Sequence, residues 1–259
     1  VLPYFKKIET WSEGENFYRG GKGPLKVNKS KINKKFPLLQ TVLNAAQEAG
    51  YDLYEDVNGC KQEGFGPFDV TINNGMRYGV VKAYLDKVKD KSNVKIFTHA
   101  HVLRILFKNK TAVGIEVEEK NKKISYFANK EILLSAGSIN SPKILQLSGI
   151  GEAQELKKHD IKIIHDLPGV GKNLQDHLEV YIQYKSKKKE TLYNLSTNYL
   201  TQAIEGIKWF LFKRGLLVHS HLELGGFVTT DSKYLHPNLQ YHFFPSLVIN
   251  HGLINPSFD

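Results

Sequence analysis

The sequence predicts a mixed fold, α/β in one part and α+β in the rest, and three observations carry that expectation. Residues 131–135, Glu131-Ile132-Leu133-Leu134-Ser135, form a short apolar run without alternation, bounded by Ala136-Gly137 and followed by Ser141-Pro142. Such a run suits a strand buried on both faces, and Ser then Pro suits the start of a helix. From Val94 onward, apolar residues alternate in short runs parted by polar turns, the pattern of an antiparallel meander. Helical periodicity appears over 37–49 and 199–213, outside that central region.

The elements follow in order. Residues 19–24 read as a loop. The helix over 37–49 carries Leu38, Leu39, Val42, Leu43 and Ala46 at helical spacing and stops at Gly50. Residues 58–67 are glycine-rich and read as irregular, and 78–88 as a second helix. Strands are expected at 94–99, 102–107, 112–118 and 124–127, with polar turns at 108–110 and 120–122. The buried strand at 131–135, the glycine turn and a helix from Ser141 to about Ser148-Gly149 make half of a nucleotide-binding unit. A short helix near 152–159, a strand at 161–167, a loop at 168–171 and a strand at 180–184 come next. The helix at 199–213 is expected to bury Leu200, Ala203, Ile204, Ile207 and Leu211, and strands close the pattern at 225–230 and 239–244.

The chain has 259 residues, 41% hydrophobic and 24% charged, ordinary for a globular protein with a sizeable core. No apolar run is long enough to span a bilayer. The net charge of +10 raises the question of a polyanion partner. Its lysines are scattered over expected turns and polar helix faces, so we read the charge as solvated surface and expect no nucleic acid. The single Cys60 excludes an intrachain disulfide and a cysteine-based metal cluster. His99 with His101, and His219 with His221, would share a strand face, yet no carboxylate or cysteine is placed to complete a ligand set, and no metal is expected. The glycines at 20–23 and 169–171 lack the ending and the preceding strand of a phosphate loop. Both ends of the sequence are abrupt, which leads us to expect an internal piece of a longer protein.

One motif is specific. Gly137-Ser138-Ile139-Asn140-Ser141-Pro142-Lys143-Ile144-Leu145-Gln146-Leu147-Ser148-Gly149-Ile150-Gly151 resembles the second signature of the glucose-methanol-choline (GMC) oxidoreductases. The run from Asp166 to Leu178, with Gly169-Val170-Gly171-Lys172-Asn173-Leu174-Gln175-Asp176-His177, resembles a further hallmark of that family. Segments 1–5, 62–67, 104–107 and 239–243 extend the likeness along the chain, toward the choline-oxidising branch of the family.

The resemblance implies a Rossmann-like FAD-binding domain joined to a substrate domain built on an antiparallel sheet. It implies residues 1–74 and 179–259 as substrate-domain portions and 75–178 as the middle of the FAD-binding domain. FAD is the implied cofactor. The implied reaction is oxidation of an alcohol, choline to betaine aldehyde, by hydride transfer to the flavin, with an unspecified acceptor reoxidising it. Val102 would meet the adenine through its backbone, and Ala136-Gly137 would form the turn beside the cofactor, where glycine permits close approach. Glu223, in His221-Leu222-Glu223-Leu224-Gly225-Gly226-Phe227, would hold the substrate cation. A quaternary ammonium donates no hydrogen bond, so a carboxylate and aromatic faces must hold it. Strand alternation would place His221, Glu223 and Gly225 on one face. The family's Gly-x-Gly-x-x-Gly fingerprint is absent from the sequence. The family's catalytic histidine is expected beyond the C-terminus, so no catalytic base is assigned. The implied location is cytoplasmic, with peripheral association at the inner membrane as an open alternative. Two other readings stay open: a family member acting on a different primary alcohol, and a non-catalytic basic binding module.

Overall fold

The computed structural model describes residues 1–30, 37–188, 191–220 and 222–249, without the side chains of 194–196. In chain order the elements are α1 (Leu2–Ile8), β1 (Glu9–Trp11), β2 (Leu25–Lys29), α2 (Pro37–Glu48), β3 (Gly64–Pro67), β4 (Asp69–Val70), β5 (Ile72–Asn73), β6 (Met76–Arg77) and α3 (Val80–Ala83). Then come β7 (His101–Lys108), β8 (Thr111–Glu119), β9 (Lys122–Phe127), α4 (Gly137–Leu147), β10 (Ile150–Gly151), α5 (Ala153–Lys158) and β11 (His165–Asp166). The last are α6 (Leu192–Thr197), α7 (Tyr199–Phe212), β12 (Leu224–Val228) and β13 (Leu239–Phe243). These elements fall into two compact units, one of Val1–Val94 with Tyr181–Asp259 and one of Lys95–Val180.

In the first unit, β13, β12 and β3 form an antiparallel sheet in that order. Helix α2 covers one face, packing Leu39 and Leu43 against Leu224 and Leu216, with Val42, Phe65, Leu192 and Phe243 around them. The spacing of Leu39, Leu43 and Ala46 is what turns one stripe of α2 inward. The stretch 64–67, expected to be irregular, is strand β3. Its glycines admit the neighbouring chain: a Cβ on Gly66 would lie 2.1 Å from the Tyr54 carbonyl oxygen.

A second sheet pairs β1 parallel to β2 and β2 antiparallel to β4. Arg19, only 3% exposed, locks this region. Its guanidinium reaches Glu9 at 3.0 Å, Asp56 at 3.0 Å and Asp69 at 2.7 Å, and stands 4.4 Å from the Trp11 ring centre. Burial opposes its charge, but Asp69, Asp56 and Glu9 outweigh that and raise its pKa. Sequence reasoning took residues 19–24 for a plain loop and did not anticipate this clamp.

In the second unit, β7, β8 and β9 form the expected meander. The β8–β9 turn places both Lys120 and Asn121 at positive φ, 50° and 61°, the geometry that matches the strands' twist. Helix α4 packs on β7, tied by Ser148: its hydroxyl accepts from the Ile105 N–H at 2.8 Å and donates to the Ile144 carbonyl at 2.5 Å. Strands β10 and β11 pair in parallel, with α5 between them in sequence.

Several expectations need correction. Residues 94–99 are not a strand; Ile96 and Phe97 are exposed and His99 sits at φ 55°. Residues 131–135 are not a buried strand: they form no ladder among the described residues, and Leu133 is 81% exposed. An unalternating apolar run becomes a doubly buried strand only where neighbouring strands pair with it, and among the described residues none does. Residues 180–184 fail in the same way, with Val180, Ile182 and Tyr184 exposed. The helix expected at 78–88 is one turn of α-helix, α3, and a 3-10 turn at Leu85–Lys87. The strand at 161–167 shrinks to His165–Asp166. Helix α4 begins at Gly137, four residues before the predicted cap, and Pro142 lies inside it. Helix α7 matches its predicted span, but its apolar stripe faces outward. Leu200, Ile204, Ile207 and Leu211 are exposed, whereas Glu205 is buried and accepts the Leu216 N–H at 2.7 Å.

Candidate functional site

The two hallmark segments interlock in the second unit. Helix α4 ends at Ser148, and Gly149 turns the chain at φ +88°, where a Cβ would lie 2.2 Å from the Lys162 carbonyl oxygen. The Gly149 and Gly151 carbonyls then accept from Ile164 at 2.8 Å and Leu167 at 2.9 Å. Asp166 accepts the first α5 N–H, that of Ala153, at 2.9 Å. Gly171, at φ +78°, lies against the Gln146 amide, whose Nε2 would be 2.9 Å from an added Cβ. Lys172 pairs with Glu152 at 2.9 Å. The glycines of both segments thus bring backbone against backbone and against the Gln146 side chain.

At the other end of α4 the surroundings are open. Ala136 occupies the N-cap position without a side-chain cap, and its own N–H donates to Ser141 Oγ at 3.0 Å. The Ser141 hydroxyl therefore turns back to the helix start; it does not open the helix. Gly137 has φ +87°, and a Cβ there would meet nothing within 4 Å. The first N–H groups of an α-helix have no intrahelical acceptor and carry its positive dipole end. An exposed, uncapped helix start beside a side-chain-free turn fits one wall of an anionic cofactor's cradle.

Val102 lies in β7, half-buried, opposite Val117. The next paired residue is Arg104 with Glu116, so Leu103 is an extra, bulged residue. A bulge re-aims the neighbouring backbone, and this one adjoins the residue proposed to meet adenine. No sequence signal marked it, since the alternation of β7 reads as regular.

Glu223 belongs to the first unit and directly precedes β12. It is 6% exposed. His219 Nδ1 lies 3.0 Å from Oε1 and 2.9 Å from Oε2, and the Ser220 N–H donates to Oε1 at 3.1 Å. Burial pushes this carboxyl up, but His219, Ser220 and the Ser30 hydroxyl outweigh it and hold the group below the ordinary glutamate value. Ser30 Oγ is buried near this carboxylate, at a looser geometry than the His219 and Ser220 contacts. The Phe68 N–H donates to the Glu223 carbonyl at 2.8 Å. The Phe68 ring covers Gly225, where a Cβ would meet it at 2.4 Å, and stands 5.3 Å from the His242 ring and 6.1 Å from Phe227. His221 lies outside the described residues, so its predicted place beside Glu223 does not enter. Sequence reasoning had weighed His219 only as a metal-ligand candidate. The four-residue spacing between His219 and Glu223 was the missed signal. Ala136 and Gly137 thus meet at one helix start and Val102 stands on the strand that this helix packs against, while Glu223 is in the other unit.

A family model described as GMC oxidoreductase matches residues 1–179. The mitochondrial choline dehydrogenase of Mus musculus is 43% identical over 251 residues, 97% of this chain and 42% of that protein. The oxygen-dependent choline dehydrogenase of an Escherichia coli O17:K52:H18 strain is 44% identical over 254 residues, 97% of this chain and 45% of that protein. The chain therefore spans less than half the length of these curated relatives. Among solved structures, an FAD-dependent oxidoreductase from Chaetomium thermophilum superimposes with a TM-score of 0.78 at 30% identity, over 87% of this chain and 42% of that one. Aspergillus oryzae formate oxidase gives a TM-score of 0.82 at 24% identity, over 95% and 48%, a likeness of fold. From the match over residues 1–179 and from these identities, the chain belongs to the GMC oxidoreductase family.

Proposed function

We propose that this chain forms part of an FAD-dependent alcohol oxidoreductase whose substrate is choline and whose product is betaine aldehyde. The observation that carries the reading is 43–44% identity to choline dehydrogenases over 95–97% of the chain. Residues 75–178 contribute the middle of a Rossmann-like FAD-binding domain, and 1–74 and 179–259 contribute to the substrate domain. FAD, when bound, supplies the hydride acceptor for the carbinol carbon. Ala136 and Gly137 pass beside the cofactor, a role supported by the open space at Gly137 and the uncapped start of α4. Val102 meets the adenine through its backbone.

Glu223 holds the trimethylammonium group. Its support is chemical: a buried carboxylate held in its charged form, next to a sheet strand whose Gly225 lies beneath the Phe68 ring. A cation without donors is held by charge and by ring faces. No residue of the chain is assigned as the base. We further propose a cytoplasmic location, with contact to the inner membrane limited to its surface; among the described residues no helix is long and apolar enough to cross a membrane.

The test uses the full-length, flavin-loaded enzyme. Glu223→Gln is expected to raise KM for choline far more than for 3,3-dimethylbutan-1-ol, its neutral counterpart of similar shape. Equal increases for the two alcohols would refute the role of Glu223.

A further inference from the structure

We propose that His219 is a positioning residue for choline recognition: it orients the Glu223 carboxylate through Nδ1. The inference rests on the reading of Glu223 above.

Both carboxylate oxygens lie within hydrogen-bond distance of the same ring nitrogen, at 3.0 and 2.9 Å. An ionised carboxylate only accepts, so Nδ1 bears the hydrogen in this pairing. The Ser220 N–H fixes Oε1 from a second direction. A glutamate side chain has three rotatable bonds, and a buried one left without such donors would turn toward whatever partner it found. The His219 side chain is itself largely enclosed. The 3-10 turn Leu216–Val218 ends at His219, so the ring is set by backbone that the core residue Leu216 anchors.

The chemical identity of the donor matters. A lysine or arginine at this position would pin the carboxylate equally well, but would cancel its charge. An imidazole donates a single hydrogen from Nδ1, whereas an ammonium or guanidinium brings several donors and an obligatory charge. His219 and Ser220 leave further acceptor sites on the two oxygens and hold both oxygens in place. A quaternary ammonium donates no hydrogen bond, so a carboxylate fixed in one place serves it through charge. For a neutral alcohol the same arrangement contributes little, so His219 separates the two substrate classes.

The experiment is a KM and kcat comparison on the full-length holoenzyme, with choline and 3,3-dimethylbutan-1-ol as substrates. Four variants are measured: Glu223→Gln, His219→Phe, His219→Asn and His219→Gln. His219→Phe is expected to raise the choline KM roughly tenfold, the scale of one hydrogen bond to a charged group, with kcat and the KM for the neutral alcohol nearly unchanged. His219→Asn places an amide nitrogen where Nδ1 stands and should restore the choline KM. His219→Gln carries its amide one bond further out and should not. If the Phe variant does not fold, the contrast between Asn and Gln decides alone. Equal effects on both substrates, or no difference between Asn and Gln, overturn the role of His219. If Glu223→Gln is selective for choline and His219→Phe is not, only His219 loses its role. If Glu223→Gln is itself unselective, the reading of the whole site falls.

Discussion

Arg19 shows how one side chain can hold a region that sequence periodicity does not describe. It gathers carboxylates from Glu9, Asp56 and Asp69, which lie far apart in sequence, and leans on Trp11. Removing one partner of a buried ionic cluster strands the others, so Arg19→Ala should cost about 3–5 kcal/mol in denaturant unfolding of the chain. Arg19→Lys should recover only part, because an ammonium has no planar fork to serve three acceptors. Full recovery by lysine would mean that charge alone holds the cluster. At Glu223 the folded state holds the carboxyl below its ordinary value. A depressed acid contributes stability that is present above the unfolded value and lost as pH falls through the folded one. Wild-type chain should therefore lose stability faster than Glu223→Gln as pH drops from 6 toward and below the ordinary glutamate value near 4.5. Parallel urea midpoints for the two proteins across that range would contradict the burial and pairing described.

At the scale of elements, the strongest local patterns were legible. Leu39, Leu43 and Ala46 set the inward stripe of α2, and Asn109 and Asn121, both at positive φ, mark the turns of the β7–β9 meander. These signals are local, so they survive in any surroundings. Patterns whose meaning depends on neighbours did not transfer. Leu133 and Val180 have the composition of buried strands, yet nothing pairs with their backbones among the described residues. Gly64 and Gly66 concealed β3, because glycines that admit Tyr54 look like loop residues. The contrast is measurable by unfolding. Leu133→Ala should change stability by no more than about 0.5 kcal/mol, as expected of an exposed side chain. Leu224→Ala, in the core beneath α2, should cost about 2–5 kcal/mol. A large loss at Leu133 would restore the buried strand. The candidate site divided along the same line: Gly137 was legible as a turn requiring glycine, while the bulge at Leu103 and the His219–Glu223 pairing arise from three-dimensional contacts.

At the scale of the whole molecule, the family's phosphate-gripping fingerprint is absent from the sequence, and the contact proposed at the start of α4 would supply only one wall of a cofactor site. The 259-residue chain should therefore purify without stoichiometric flavin, as read from its visible absorption. A bound flavin at one per chain would show that Ala136, Gly137 and Val102 belong to a more complete cradle. Helix α7 bears on handling as well. It turns Leu200, Ile204, Ile207, Phe210 and Leu211 to solvent and buries Glu205. Salts that are excluded from protein surfaces strengthen the burial of such stripes. In dilute buffer the chain's excess of positive charge keeps copies apart. Ammonium sulfate removes that repulsion and deepens the attraction at once, so this chain should salt out early, at concentrations where a protein with a polar helix face stays in solution.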